Sequence, residues 1–299
     1  MAISRLEEIV FAVNDLGECA RFCEDFGLVR LSAGDDRIVF QTATGQRIVC
    51  AAVDSPGLPA GVVPGAGIRE VVWGVSDAAD LDWITAELSR DRAVTVDGDG
   101  TVHSVDETGF AIAFRVQTPL SATVDRRLMN TYGHTERYNA ALSSYGQAAP
   151  RRAIHVALDL PKEGREKARA FYEQRLHFRA VEEVVPTGVF LQCEGEEDHH
   201  QLFLCHRTDR PGINHVAFEA RDFDEVVEGG NHLVEKGWKE ARRLGRHTLG
   251  SNVFRFFHTP IGCRFEYVSD MDKVEKGIPT RVWETSPPHH LWMIKTNAD

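Results

Sequence analysis

The sequence predicts an α+β protein of two similar halves, each built from two strand–helix–strands units. Three internal matches predict it. "GIREVVWGVSDAADLDWITAEL" from Gly67 parallels "GINHVAFEARDFDEVVEGGNHL" from Gly212; both read as a strand, an acidic turn and a helix. "LEEIVFAVNDLGECARFCEDFGL" parallels "AIHVALDLPKEGREKARAFYEQRLHF" and pairs Glu8 with His155. "ETGFAIAFRV" parallels "PIGCRFEYVS" and pairs Gly109 with Gly262. Three matches in the same order, with slowly growing spacing, indicate a duplication with insertions.

Each element follows from its local pattern. Strand–helix starts open near Leu6 and Gly67, then near Ala153 and Gly212. Alternating apolar runs follow the first helix of each half, "DRIVFQTATGQRIVCAAV" and "GVFLQCEGEEDHHQLFLCH", with glycines at the expected turns of strand hairpins. "EKARAFYEQRL" repeats apolar residues at helical spacing, as a helix packed on a sheet would. The expected organisation is a first domain over 1–118, a linker over 119–152 ending in an Ala/Pro stretch, a second domain over 153–272, and a tail over 273–299. Trp283 and Trp292 should pack that Pro-rich tail onto the body.

Composition narrows the function. With 299 residues there is room for two cores without disulfide staples. A net charge of −11 argues against nucleic acid as a partner and against an anionic membrane surface. No apolar run reaches bilayer-spanning length, and "MAISRLEEIVFAVNDL" lacks the basic and apolar blocks of a signal peptide, so a cytoplasmic protein is expected. The six cysteines are scattered; Cys19 and Cys23 lie four apart, which is not a CxxC spacing, and reduced, buried thiols are expected.

The chemistry-bearing residues are concentrated in the second half. His155, His215 and Glu266 each sit in a strand-like run, at equivalent places of successive units. Two imidazoles and a carboxylate can hold one face of a six-coordinate metal and leave positions open for substrate and oxygen. The first half provides an internal control, because the same places hold Glu8, Glu70 and Ala113. Each histidine taken alone reads as an ordinary strand residue; the shared repeat position sets them apart. His199 and His200 are expected on neighbouring strand positions, one pointing in and one out. An inward histidine near a metal, including His247 before the Glu266 strand, suits proton transfer or a hydrogen bond to oxygen or substrate. "PPHHLW", with His289 and His290, lacks a carboxylate at useful spacing and is set aside as a rival metal site.

With these residues in place, the sequence resembles the type I extradiol ring-cleavage dioxygenases of the vicinal oxygen chelate superfamily. "GRHTLGSNVFRFFHTPIGCRFEY" is similar to the family signature around the ligand glutamate, and "EEDHHQLFLC" followed by "GINHVAFEA" is similar to its paired-histidine stretch. The resemblance covers nearly the whole chain. It implies two tandem domains of paired βαβββ modules with the metal in the second. It implies Fe(II) ligands at His155, His215 and Glu266, with Mn(II) compatible with the same donors. It further implies an acid–base role for His200, a hydrogen-bonding role for His247, and substrate contacts at His199 and at Phe256. The family has tyrosine at this last position. The implied partners are a catechol-type diol and O2, and a homo-oligomer is expected. Other metal chemistry on the same scaffold, or a non-catalytic binder of small molecules, are the alternatives.

Overall fold

The computed structural model describes residues 3–119, 127–206 and 210–295. Residues 120–126 of the expected linker, and the last residues of the expected tail, 296–299, lie outside that set. The first half runs β1 (Ile3–Val13), α1 (Leu16–Asp25), β2 (Val29–Ala33), β3 (Arg37–Gln41), β4 (Arg47–Ala52), β5 (Gly67–Val75), α2 (Ala78–Leu88), β6 (Thr95–Val96), β7 (Val102–Val105) and β8 (Ala111–Val116). The second half repeats the order: β9 (Arg152–Leu160), α3 (Arg165–Ala170) continued by a π-helical turn over Phe171–Arg175, β10 (Arg179–Val184), β11 (Gly188–Gln192) and β12 (Leu202–His206). It goes on with β13 (Gly212–Glu219), α4 (Phe223–Glu235), β14 (Glu240–His247), β15 (Val253–His258) and β16 (Arg264–Ser269). The tail adds β17 (Arg281–Trp283) and β18 (His290–Met293).

The expected α+β class of paired βαβββ modules is what forms. The first sheet has the order β2-β3-β4-β1-β5-β8-β7-β6, so two four-stranded modules meet back to back along β1 and β5. The second sheet has the same order, with β9 against β13 at its centre, and gains β17 at one edge and β18 at the other. The tail strands therefore cover both open edges of the second sheet, satisfying backbone groups that an exposed edge would leave free.

Local chemistry explains the helix starts. Asp15, Asp77 and Asp222 each accept a hydrogen bond from a backbone N–H three residues on, at 2.8, 3.0 and 2.9 Å. These side chains cap α1, α2 and α4, a contribution of about 1 kcal/mol apiece. The acidic turns after "GIREVVWGV" and "GINHVAFEA" are thus N-caps.

The two halves share one core. Phe22 and Phe26 of α1 pack against Phe265 of β16 with ring centroids 5.6 and 5.3 Å apart, and Phe26 stacks on Tyr267 at 4.1 Å. In return, Phe178 of the second half meets Trp73 of β5 at 5.0 Å. Polar links cross the same seam: Tyr267 Oη donates to Phe26 O, and Tyr172 Oη donates to Asp106. Gln46 bonds both the N–H and the C=O of Ala153. Phe26 is fully buried, so Phe26→Ala would cost about 3–5 kcal/mol and loosen both halves. Valines and leucines of the central strands face this core, and the opposite face of the second sheet carries the buried His155, His215 and Glu266 beside a small apolar cluster of Ile154, Ala217, Val268 and Met271. Among the described residues no helix is long and apolar enough to cross a membrane.

Candidate metal centre

Strand register alone brings the three ligand candidates together. His155 of β9 stands opposite Ala217 of β13, which stands opposite Glu266 of β16, so the three make one cross-strand row. His215 lies two residues before Ala217, which puts it on the same face one step along the strand. Ala217 is small and fully buried, leaving open the space above the row. The turn from β15 to β16 fixes where Glu266 falls. Gly262 adopts φ +95°, and Thr259 Oγ1 donates to Cys263 O at 2.8 Å, locking the hairpin.

The donor atoms converge. His155 Nε2 lies 3.0 Å from His215 Nε2, and Glu266 Oε2 lies 3.4 and 3.5 Å from these two nitrogens. Among the described residues they form a group of potential ligands whose donor atoms all lie within 4.8 Å of one another. Such spacings are what three donors at about 2.1 Å from one cation require. All three side chains are buried, Glu266 with 0% exposure. Both Glu266 oxygens are shielded from solvent and have no hydrogen-bond donor. A buried carboxylate left in that state is costly unless a cation neutralises it.

Protonation matches ligation. Burial pushes the His215 imidazole well below its ordinary value, with Glu266 only partly opposing, so the ring is neutral. Burial would raise the Glu266 carboxyl, but the His155 and His247 rings beside it outweigh burial and hold the group ionised. His215 Nδ1 lies 2.9 Å from Asn214 Oδ1, which can only accept, so the proton sits on Nδ1 and the Nε2 lone pair points to the centre.

The row ends in a cavity of about 280 Å³, at the small end for ligand sites. His200 and His247 both line it. The His200 ring lies 4.2 Å from that of His155, and burial holds His200 neutral. His247 closes β14, stacks on Phe254 at 4.1 Å, and brings Nε2 to 3.4 Å from Glu266 Oε1. Phe256 stands opposite Glu266 on β15, its ring 5.2 Å from that of His215.

The expected placing of His199 and His200 needs correction. His199 and His200 do not alternate in and out: they lie in a bend before β12, and both are buried. His199 is not part of the cavity wall where substrate contact was expected. It sits behind His200, its Nε2 2.8 Å from Glu182. The "PPHHLW" stretch, set aside as a rival metal site, lies beside the centre: Ser286 to His289 form part of the cavity wall and the His289 ring lies 5.0 Å from that of His247. Sequence reading also missed Arg242 and Arg264, which line the cavity on either side of Phe256, 5.5 and 5.4 Å from its ring centre. Arg264 carried a signal, since it is two residues before Glu266 and hence on its face; Arg242 reaches the cavity only through its pairing with Phe256.

Comparison with known proteins agrees with this architecture. Residues 154–267 match the Glyoxalase/Bleomycin resistance protein/Dioxygenase superfamily. A curated relative, metapyrocatechase 2 of Cupriavidus necator, is 32% identical over 135 residues, which cover 45% of this chain and 41% of that protein. The matched part is thus less than half of the relative's length. Among solved structures, the 2,3-dioxygenase LapB of Pseudomonas sp. KL28 superposes with a TM-score of 0.76 at 18% identity, over 95% of this chain and 98% of that one. The Mn(II)-bound glyoxalase of Novosphingobium aromaticivorans superposes with a TM-score of 0.72 at 17% identity, over 99% of each chain. The family match is thus confined to residues 154–267, and over nearly its whole length the chain takes the fold shared by LapB and that glyoxalase.

Proposed function

We propose that this chain is an Fe(II)-dependent extradiol dioxygenase that opens the ring of a catechol-type diol with O2. The observation that carries the proposal is the convergence of His155, His215 and Glu266 on the wall of a small cavity that also holds His200 and His247. The name of the curated relative, a metapyrocatechase, supports the same reading. Mn(II) fits the same donor set, so metal identity is decided by measurement.

When bound, a divalent ion lowers the pKa of a coordinated hydroxyl and gathers diol and oxygen at one centre. The chain's own residues supply the rest. His200, neutral and lining the cavity, takes a proton from a catechol hydroxyl and later returns it. His247 presents its imidazole beside Glu266 to steady charge on neighbouring oxygen. Phe256, with Phe190 and Phe203, makes an apolar wall that excludes water and takes a flat ring.

The test is anaerobic reconstitution with Fe(II), then oxygen-electrode and absorbance traces on a catechol panel. Oxygen uptake with a yellow ring-opened product is expected; uptake absent across the panel overturns the proposal. One observation favours a second reading, isomerase or lyase chemistry on the same ion: Phe256 offers no hydroxyl to a bound catecholate. Phe256→Tyr separates the two. Under ring cleavage the restored donor should raise kcat by about fivefold or more, the equivalent of one hydrogen bond. No gain in oxygen uptake favours the second reading.

A further inference from the structure

Behind the cavity wall lies a buried polar chain that the ligand set does not use. Glu182 of β10 is 1% exposed, and His199 and His200 are 4% exposed each. Glu182 Oε2 lies 2.8 Å from His199 Nε2, and His199 Nδ1 lies 3.1 Å from His200 Nδ1. The other carboxylate oxygen of Glu182 accepts from Trp283 Nε1 at 2.7 Å and from Arg281 at 3.1 Å, both on β17 of the tail. The Phe190 ring packs edge-on against both histidines, at 5.4 and 4.9 Å, and keeps the chain dry.

Proton bookkeeping along this chain has one solution when each ring carries a single proton. An ionised carboxylate only accepts, so His199 must donate from Nε2. Its Nδ1 is then a bare lone pair, so His200 must donate from Nδ1. That leaves His200 Nε2 unprotonated, on the side of the ring away from His199, and His200 lines the cavity where His199 does not. Without the chain, His200 could equally carry its proton on Nε2, which would present a donor where a base is required.

We propose that Glu182 and His199 are positioning residues that fix the tautomer of His200, and that β17 clamps Glu182 in the orientation this requires. The inference rests on the reading of His200 as the base. It extends that reading to residues outside the cavity and makes the tail part of the catalytic apparatus. The strand pairing that ties β17 to β10 sets Arg281 opposite Glu182, so the clamp is built into the backbone register.

The experiment is 15N NMR of histidine-labelled protein loaded with Zn(II), a diamagnetic probe, with the His200 signals assigned by their loss in His200→Phe. The expected His200 spectrum is that of a ring protonated at Nδ1. His199→Phe removes the acceptor and should shift His200 toward the other tautomer. His199→Asn places a carbonyl oxygen near the lost Nδ1 and should restore the original spectrum. With Fe(II), kcat should fall about 10- to 100-fold in His199→Phe and recover in His199→Asn, with KM within about threefold throughout. A His200 ring protonated at Nε2 in the native protein, or an unchanged tautomer in His199→Phe, overturns the inference. The spectra do not depend on turnover. Ring cleavage with the wrong tautomer sinks only the positioning chain, and the expected tautomer without cleavage sinks only the dioxygenase reading.

Discussion

In the first sheet the places that answer to His155, His215 and Glu266 are held by Glu8, Glu70 and Ala113, and strand register makes the correspondence residue for residue. Val72 stands opposite both Glu8 and Ala113, as Ala217 stands opposite both His155 and Glu266. The difference lies in how the carboxylate charge is settled. Glu8 has Arg115 at 3.2 Å and Arg47 at 3.9 Å. Glu70 bonds His103 at 2.9 Å, and His103 reaches Asp97 at 3.2 Å. Each carboxylate in the first half thus has a protein partner of opposite or neutralising character. In the second half Glu266 has imidazoles at 3.4–3.5 Å and no donor for either oxygen. One backbone scaffold carries an internally compensated cluster on one side and an uncompensated one on the other, and only the uncompensated one has a use for a cation.

That contrast can be broken on purpose. The largest effect is expected from Glu266→Ala, which copies Ala113. Metal affinity, read by equilibrium titration and elemental analysis, should weaken by more than about 100-fold, beyond the roughly 10- to 100-fold that loss of a supporting partner costs. Oxygen uptake should vanish with it. Next comes His200→Phe, where bound metal should stay near stoichiometric while kcat drops by about 10²–10⁴. Retained turnover would remove His200 from the mechanism.

Ala217→Val copies Val72 and fills the floor of the metal row. Overpacking should cost about 1–3 kcal/mol in denaturant melts, and metal affinity should fall about tenfold. An unaltered affinity would show that the row has slack the structure does not suggest.

The two halves should also differ in how stability responds to pH. In the metal-free protein His200 and His215 are held below their ordinary value of 6.5, chiefly by burial. Their contribution is present above that value and lost as pH falls, with a slope approaching about 1.4 kcal/mol per pH unit for each. His103 goes the other way. Burial lowers it, but Glu70 and Asp97 together win and raise it. Its contribution is present below 6.5 and lost as pH rises through the raised value. Hydrogen exchange read half by half between pH 5 and 8 should show protection in the two sheets moving in opposite directions.

Much of this was legible in the chain because it repeats. The repeat placed Glu8 against His155 and Glu70 against His215, and the sheet registers fall on the same pairs. The βαβββ order was legible from apolar alternation and acidic turns, since strand period and N-capping are local properties. The bend at His199 and His200 was not, because strand alternation fails wherever a chain leaves its ladder. Arg242 and His289 were not legible as cavity residues either, whereas Arg264 could have been placed from its spacing to Glu266. The first two arrive there through pairings of β14 with β15 and with β18, the last distant in sequence.

The sequence by itself determined the two-fold plan, the donor types and the half that holds them, because each of these is written in short-range pattern and in the comparison of one copy with the other. Tertiary structure decided the separations of 3.0–3.5 Å between donors, the orphaned state of Glu266, and the placing of the tail against Glu182 and the cavity. Those depend on which strands pair and in what register. Register is selected by packing of the whole sheet against a shared core, a sum over many contacts that no local window contains.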